Sequence, residues 1–137
     1  MKEYTSEALI ALALEARENA HCPYSGVAVG AALLCESGEV FLGANMESAS
    51  FSPTLCAERV AFGAALSQGH REFLRIAVVG AKKDEMPHAF FPPCGVCRQV
   101  MAEFCRPDFE VLLSDGKAVT VLTLGELLPH GFGPEHI

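Results

Sequence analysis

Apolar positions along this chain change their spacing several times, and each change marks an element. From Ser6, with Glu7 in the first turn, Leu9, Leu12, Ala13 and Ala16 recur at helical intervals until His21-Cys22-Pro23, so the pattern predicts a helix with Ser6 as its N-cap. Residues 27–35 (VAVGAALLC) form an unbroken apolar run, short for a helix and rich in valine, as in a strand buried on both faces. Glu36-Ser37-Gly38-Glu39 turns the chain, and residues 40–43 return as a hairpin partner. After an irregular stretch at 45–53, a second helix is predicted over 56–68 with Gly69 as its left-handed stop, then a buried strand over 76–80. A third helix fits 95–104, where Cys97, Val100, Met101 and Phe104 share one face. Residues 109–113 and 118–121 read as strands about Asp115-Gly116, and 124–128 as a last helical turn before Pro129. Strands interleaved with helices predict an α/β layered architecture, and with no repeat, low-complexity tract or linker, residues 1–137 are expected to form one domain.

Composition narrows the functional classes. Half of the residues are apolar and 20 % are charged, enough for a core and incompatible with intrinsic disorder. The run at 27–35 is far short of the ~20 residues of a membrane-crossing helix, and no basic-plus-apolar signal opens the chain, so a soluble, cytoplasmic protein is expected. Ten Lys and Arg against seventeen Asp and Glu leave a net charge of −7 without a basic run. A protein that lives by neutralising phosphates needs the opposite balance, so nucleic acid is disfavoured and a small uncharged substrate favoured. Cysteines stand at 22, 35, 56, 94, 97 and 105; with this much apolar material disulfide staples are unnecessary, and metal binding or free thiols are the better readings.

The unusual residues cluster at two predicted helix starts, Pro53-Thr54-Leu55-Cys56-Ala57-Glu58-Arg59 and Pro92-Pro93-Cys94-Gly95-Val96-Cys97-Arg98-Gln99. A helix N-terminus carries about half a positive charge, which favours the thiolate that a metal needs. Cys94 and Cys97 lie one turn apart and can aim at one point; Cys56 makes a third ligand, and three protein ligands leave one tetrahedral position of zinc open. At a helix start Glu58 can overhang that position without filling it and move a proton there. Taken alone, Cys94-x-x-Cys97 is also compatible with a redox pair, or with a structural zinc completed by Cys105, His88 or His70. The combination Cys-x-Glu with Pro-Cys-x-x-Cys is the pattern of zinc deaminases. Cys22, Cys35 and Cys105 read as small hydrophobes, Phe90, Phe91 and Phe104 as core, and Arg98 and Gln99 as either neighbours of the metal or plain surface.

C-A-E-R at 56–59 with P-C-G-V-C-R-Q-V at 93–100 resembles the small homotetrameric cytidine deaminases that act on free nucleosides. The likeness continues through CPYSGVAVGAALL at 22–34, NMESASF at 45–51 and LLPHGF at 127–132, in order and over most of the chain. The resemblance implies a three-layer α-β-α fold around a mixed five-stranded sheet and one zinc per subunit on Cys56, Cys94 and Cys97, with Glu58 as proton shuttle. It implies that Asn45 and Glu47 hold the ribose hydroxyls, that Ala57 contacts substrate, and that Phe132 packs on the base in a neighbouring subunit. Arg59 matches an arginine that donates to the cysteine sulfurs, easing the −1 charge of zinc with three thiolates. The implied reaction is hydrolysis of cytidine and 2′-deoxycytidine to the uridines and ammonia, as in pyrimidine salvage. The nearest alternative is deamination of a modified cytosine nucleoside or an antibiotic such as blasticidin S. Val27, Ser48 and Phe51 depart from the family's usual phenylalanine, asparagine and tyrosine, which bears on substrate preference rather than on the reaction.

Overall fold

The first helix starts at a different cap from the one the spacing suggests. In the structure, a computed structural model that describes residues 4–137, Thr5 is extended and its hydroxyl accepts from the Ala8 N–H at 3.1 Å, while Ser6 is already helical in α1 (Ser6–Arg17). Two adjacent hydroxyl residues compete for one role, and the outer one takes it. β1 (Val27–Cys35) and β2 (Val40–Ala44) form the expected hairpin. α2 (Ala57–Ser67) follows, with Gly69 at φ +91° just past its end, then β3 (Phe73–Lys82) and α3 (Gly95–Phe104). The chain closes with β4 (Glu110–Ser114), β5 (Val119–Thr123), the short α4 (Leu124–Leu127) and a 3₁₀ turn at Pro134–His136.

The strands form one sheet in the order β2-β1-β3-β4-β5, antiparallel except for the parallel pair β3 and β4. β3 outruns its apolar heart at 76–80 at both ends, because Arg75 pairs with Leu34 and Glu110 and Lys82 pairs with Val27. Backbone pairing continues where the side chains turn polar. α1 covers one face, packing Leu9, Ile10 and Ala13 on Ala32, Leu34, Ala77, Val79 and Leu112. α2 and α3 cover the other, where Phe62, Ala61 and Met101 meet Ala31, Leu33, Ile76, Val78 and Val111. Phe62 anchors that side, its ring centroid 5.1 Å from that of Phe73 and 6.2 Å from that of Phe109. Among the described residues no helix is long and apolar enough to cross a membrane.

Two glycines set how closely helix backbone approaches the sheet. A β-carbon at Gly30 would run into the Ala13 carbonyl and lie 2.6 Å from Arg17 N; one at Gly43 would run into the Ala57 carbonyl and lie 2.6 Å from Ala61 N. Neither helix can seat where it does against a larger residue. Where α1 crosses Gly30 its last side chain turns inward. Arg17, 4 % exposed, donates from Nε to the Ala28 carbonyl at 2.9 Å and from Nη2 to those of Ala81, Lys82 and Glu85 at 3.2, 2.6 and 2.7 Å. This grip joins the start of β1 to the end of β3, the end of the sheet to which the start of α2 is also pinned. Gly43→Ala is expected to push α2 outward and to lower stability by about 1–3 kcal/mol, read as a fall in the urea midpoint.

Candidate metal centre and substrate cavity

Cys56 is the N-cap of α2 and Cys94 the N-cap of α3, and neither side chain is used to cap its own helix. Their sulfurs are thereby free to point outward, ahead of two sets of unpaired first-turn N–H groups. The Sγ atoms of Cys56 and Cys94 lie 3.8 Å apart and those of Cys94 and Cys97 3.7 Å apart; all three are within 4.8 Å of one another. A tetrahedral zinc with Zn–S bonds of about 2.3 Å spaces its sulfurs about 3.8 Å apart, so the cluster fits that ion. Among the described residues no further His, Cys, Asp or Glu joins the group, and all six cysteines are free thiols. The structural-site alternative through Cys105, His88 or His70 therefore has no fourth ligand in place.

The electrostatics are those of a site that gathers negative charge. The Cys56 thiol is drawn down to about 5, chiefly by hydrogen bonding from Cys97 and also by Arg59, against the effect of burial. Cys97, the donor in that pair and itself buried, is pushed up. Arg59 Nη2 lies 3.6 Å from Cys56 Sγ and donates to the Thr54 carbonyl at 3.3 Å, which holds the guanidinium against the thiolate. Glu58, 3 % exposed in the first turn of α2, has its carboxyl raised to about 7, first by burial and then by the charge on Cys56. A carboxyl poised there can both take and give a proton near neutral pH.

Cys56, Glu58 and Cys94 open into a cavity of about 310 Å³, whose other walls include Val27, Val29, Asn45, Glu47 and Phe91. Asn45 is buried between strands: its Oδ1 accepts from Val29 N at 2.9 Å and its Nδ2 donates to the Val27 carbonyl at 2.8 Å. Each end of the amide keeps one further hydrogen-bonding position. Glu47 accepts at Oε1 from the Tyr24 and Ser25 N–H groups, both at 3.0 Å, and at Oε2 from the Ser25 hydroxyl. These bonds, the Ser25 hydroxyl first among them, hold its carboxyl below the usual carboxylate range.

Structure and sequence differ over other residues. Ala57 is wholly buried and outside the cavity lining, because Gly43 packs on it. Phe132 is 57 % exposed and lines a separate cleft with Ala102 and Leu128, away from its own chain's cavity. Ser48 faces Thr54 and Ser50. Phe51 lies beside the main cavity, edge-on to Tyr24 at 5.6 Å, with φ +62°. Phe91 packs against the core as the sequence suggests, and it also lies against Gly80, where a β-carbon would meet ring carbons at 2.7–2.9 Å, and lines the cavity, a second role that sequence reasoning missed. The bare glycine within IAVVG is the signal that could have found it. Phe90, also assigned to the core, is exposed instead. Ser25, as the partner of Glu47, was likewise missed.

The sequence model described as "Cytidine and deoxycytidylate deaminase zinc-binding region" matches residues 3–113. The chain is 48 % identical over 128 residues to a cytidine deaminase of Halalkalibacterium halodurans, covering 93 % of each. A crystal structure of cytidine deaminase from Burkholderia pseudomallei superposes with a TM-score of 0.86 at 47 % identity, covering 94 % of this chain and all of that one. A blasticidin-S deaminase of Bacillus cereus is 34 % identical over 104 residues, 74 % of each chain. The chain belongs to the cytidine deaminase family of zinc-dependent hydrolases. Arg59→Ala, which removes the cation beside Cys56, is expected to retain part of its zinc while turnover falls about 10- to 100-fold, measured by metal analysis alongside deamination rate.

Proposed function

We propose that this protein deaminates cytidine and 2′-deoxycytidine hydrolytically, with Cys56, Cys94 and Cys97 holding zinc and Glu58 moving the protons. The observation that carries the reading is a buried carboxyl poised near neutrality at the rim of a three-sulfur cluster, inside a cavity with room for a nucleoside. Zinc, when bound, supplies Lewis acidity that lets a water surrender its proton near neutral pH. Glu58 accepts that proton as the water oxygen bonds to C4 of the base. The same carboxyl delivers that proton to N3, takes the second from the new C4 hydroxyl and passes it to the amino group; as C4=O forms the C4–N bond breaks, ammonia leaves and the uracil nucleoside remains. Water and cytidine are consumed and uridine and ammonia are formed.

Asn45 and Glu47 are proposed to bind the ribose, since each retains acceptor capacity, and Asn45 a donor, towards vicinal hydroxyls. Ala57 offers only its main-chain N–H, one of the free donors at the start of α2. Phe132 is proposed to pack on the base bound by a neighbouring subunit in a homotetramer, which its exposure and its distance from its own cavity support. The acidic chain and its lack of basic runs favour a free nucleoside in the cytoplasm over nucleic acid. Val27 leaves the cavity wall less bulky than an aromatic would, and preference among substituted cytidines falls to that wall.

Glu58→Gln is expected to bind zinc and cytidine and to turn over at least ~10³-fold more slowly; near-native turnover would overturn the assignment. Incubated with cytidine, 2′-deoxycytidine, substituted cytidines and blasticidin S, the protein is expected to release ammonia from the first two. A chelator abolishes the activity and zinc restores it. Turnover confined to blasticidin S would favour the antibiotic reading.

A further inference from the structure

Arg98 and Gln99, directly after the metal-site thiol of Cys97, have no part in the reaction above, yet both reach into the C-terminal segment. Arg98 donates from Nε to the Pro93 carbonyl at 2.7 Å and from Nη1 to the Leu127 carbonyl at 2.6 Å. Gln99 Nε2 donates to the Phe132 carbonyl at 2.8 Å. Pro93 precedes Cys94, and Leu127 is the last residue of α4. One turn of α3 thus grips the strand of chain that enters the metal centre and the strand that carries the exposed ring. Leu127 and Leu128 pack on the core and the Leu128 N–H donates to the Leu124 carbonyl at 2.8 Å; beyond them His130 sits at φ +56°, and the Phe132 ring rests on His136 at 5.4 Å between centroids. Gln99 is the side chain that ties Phe132 itself to the body of the protein.

We propose that Gln99 is a positioning residue, with Arg98 as its companion, that sets the Phe132 ring at a fixed place relative to the metal-bearing helix before a nucleoside binds next door. The inference rests on the reading that Phe132 covers a nucleoside in a neighbouring subunit. A ring on a loose segment must be ordered at each binding event, and that ordering weakens affinity; a tethered ring avoids it.

The test is a double-mutant cycle on the zinc-loaded enzyme with cytidine as substrate, reading KM, kcat and zinc per chain. Gln99→Met keeps the length of the side chain and removes the donor at an exposed position, so folding is not at stake. It is expected to raise KM about 2- to 10-fold, the worth of one hydrogen bond, with a smaller effect on kcat and full zinc content. Phe132→Ala is expected to raise KM at least about 5-fold, as for a lost stacking partner. In the Phe132→Ala background Gln99→Met should add nothing. If Phe132→Ala leaves KM unchanged, the reading of Phe132 falls and the inference with it. If Phe132→Ala is impaired but Gln99→Met matches the parent, raises KM equally in both backgrounds or loses zinc, the inference alone is overturned.

Discussion

Three sulfurs converge on one point because two helices begin there, and much of the remaining architecture serves to keep those two beginnings together. Cys56 and Cys94 are N-caps whose side chains are released from capping, and Cys97 follows one turn behind Cys94. The separations of 3.7 and 3.8 Å depend on the sheet beneath. Gly43 lets α2 come down on β2, and Gly80 lets Phe91 lie against β3 in the segment that leads to Cys94. A side chain at either glycine would move a metal ligand as well as a core contact.

Convergence of this kind carries an electrostatic cost that the same residues offset. Three thiols at contact distance resist joint ionisation, which the opposed behaviour of Cys56 and Cys97 displays. Two helix N-termini and the Arg59 guanidinium supply the compensating positive potential, and Thr54 keeps that guanidinium in place. Glu58 occupies the boundary between this charged cluster and the apolar core under α2. Burial holds its proton more tightly than solvent would, and the negative sulfur beside it acts in the same direction. The carboxyl needed to exchange protons is therefore tuned by the metal site and by the core at once.

Much of this was legible in the sequence, for physical reasons that also explain what was not. The strand at 27–35 and the helix at 95–104 were read with their observed limits because abrupt changes of polarity flank them. The ends of β3 were not, since Arg75 and Lys82 pair through their backbones while their side chains are charged, Arg75 meeting Glu110 and Lys82 lying exposed. The sulfur cluster and Glu58 were legible because metal ligation demands particular atoms at particular spacings. The cavity role of Phe91 was hidden because an apolar ring carries the same signal in a core and in a cavity wall, and this one serves in both. Arg98 and Gln99 were hidden because their partners are carbonyl groups, which every residue possesses and no sequence advertises.

The grip of Arg17 has a consequence for how the chain reaches this state. Its partners at Ala81, Lys82 and Glu85 lie 64 to 68 positions further along, whereas Ala28 is only 11 away. During synthesis the first helix and hairpin therefore emerge with a guanidinium that lacks three of its four carbonyl partners until about half of the polypeptide has followed. The hairpin of β1 and β2 is thus local, whereas the closure of this end of the sheet waits for β3 to be made.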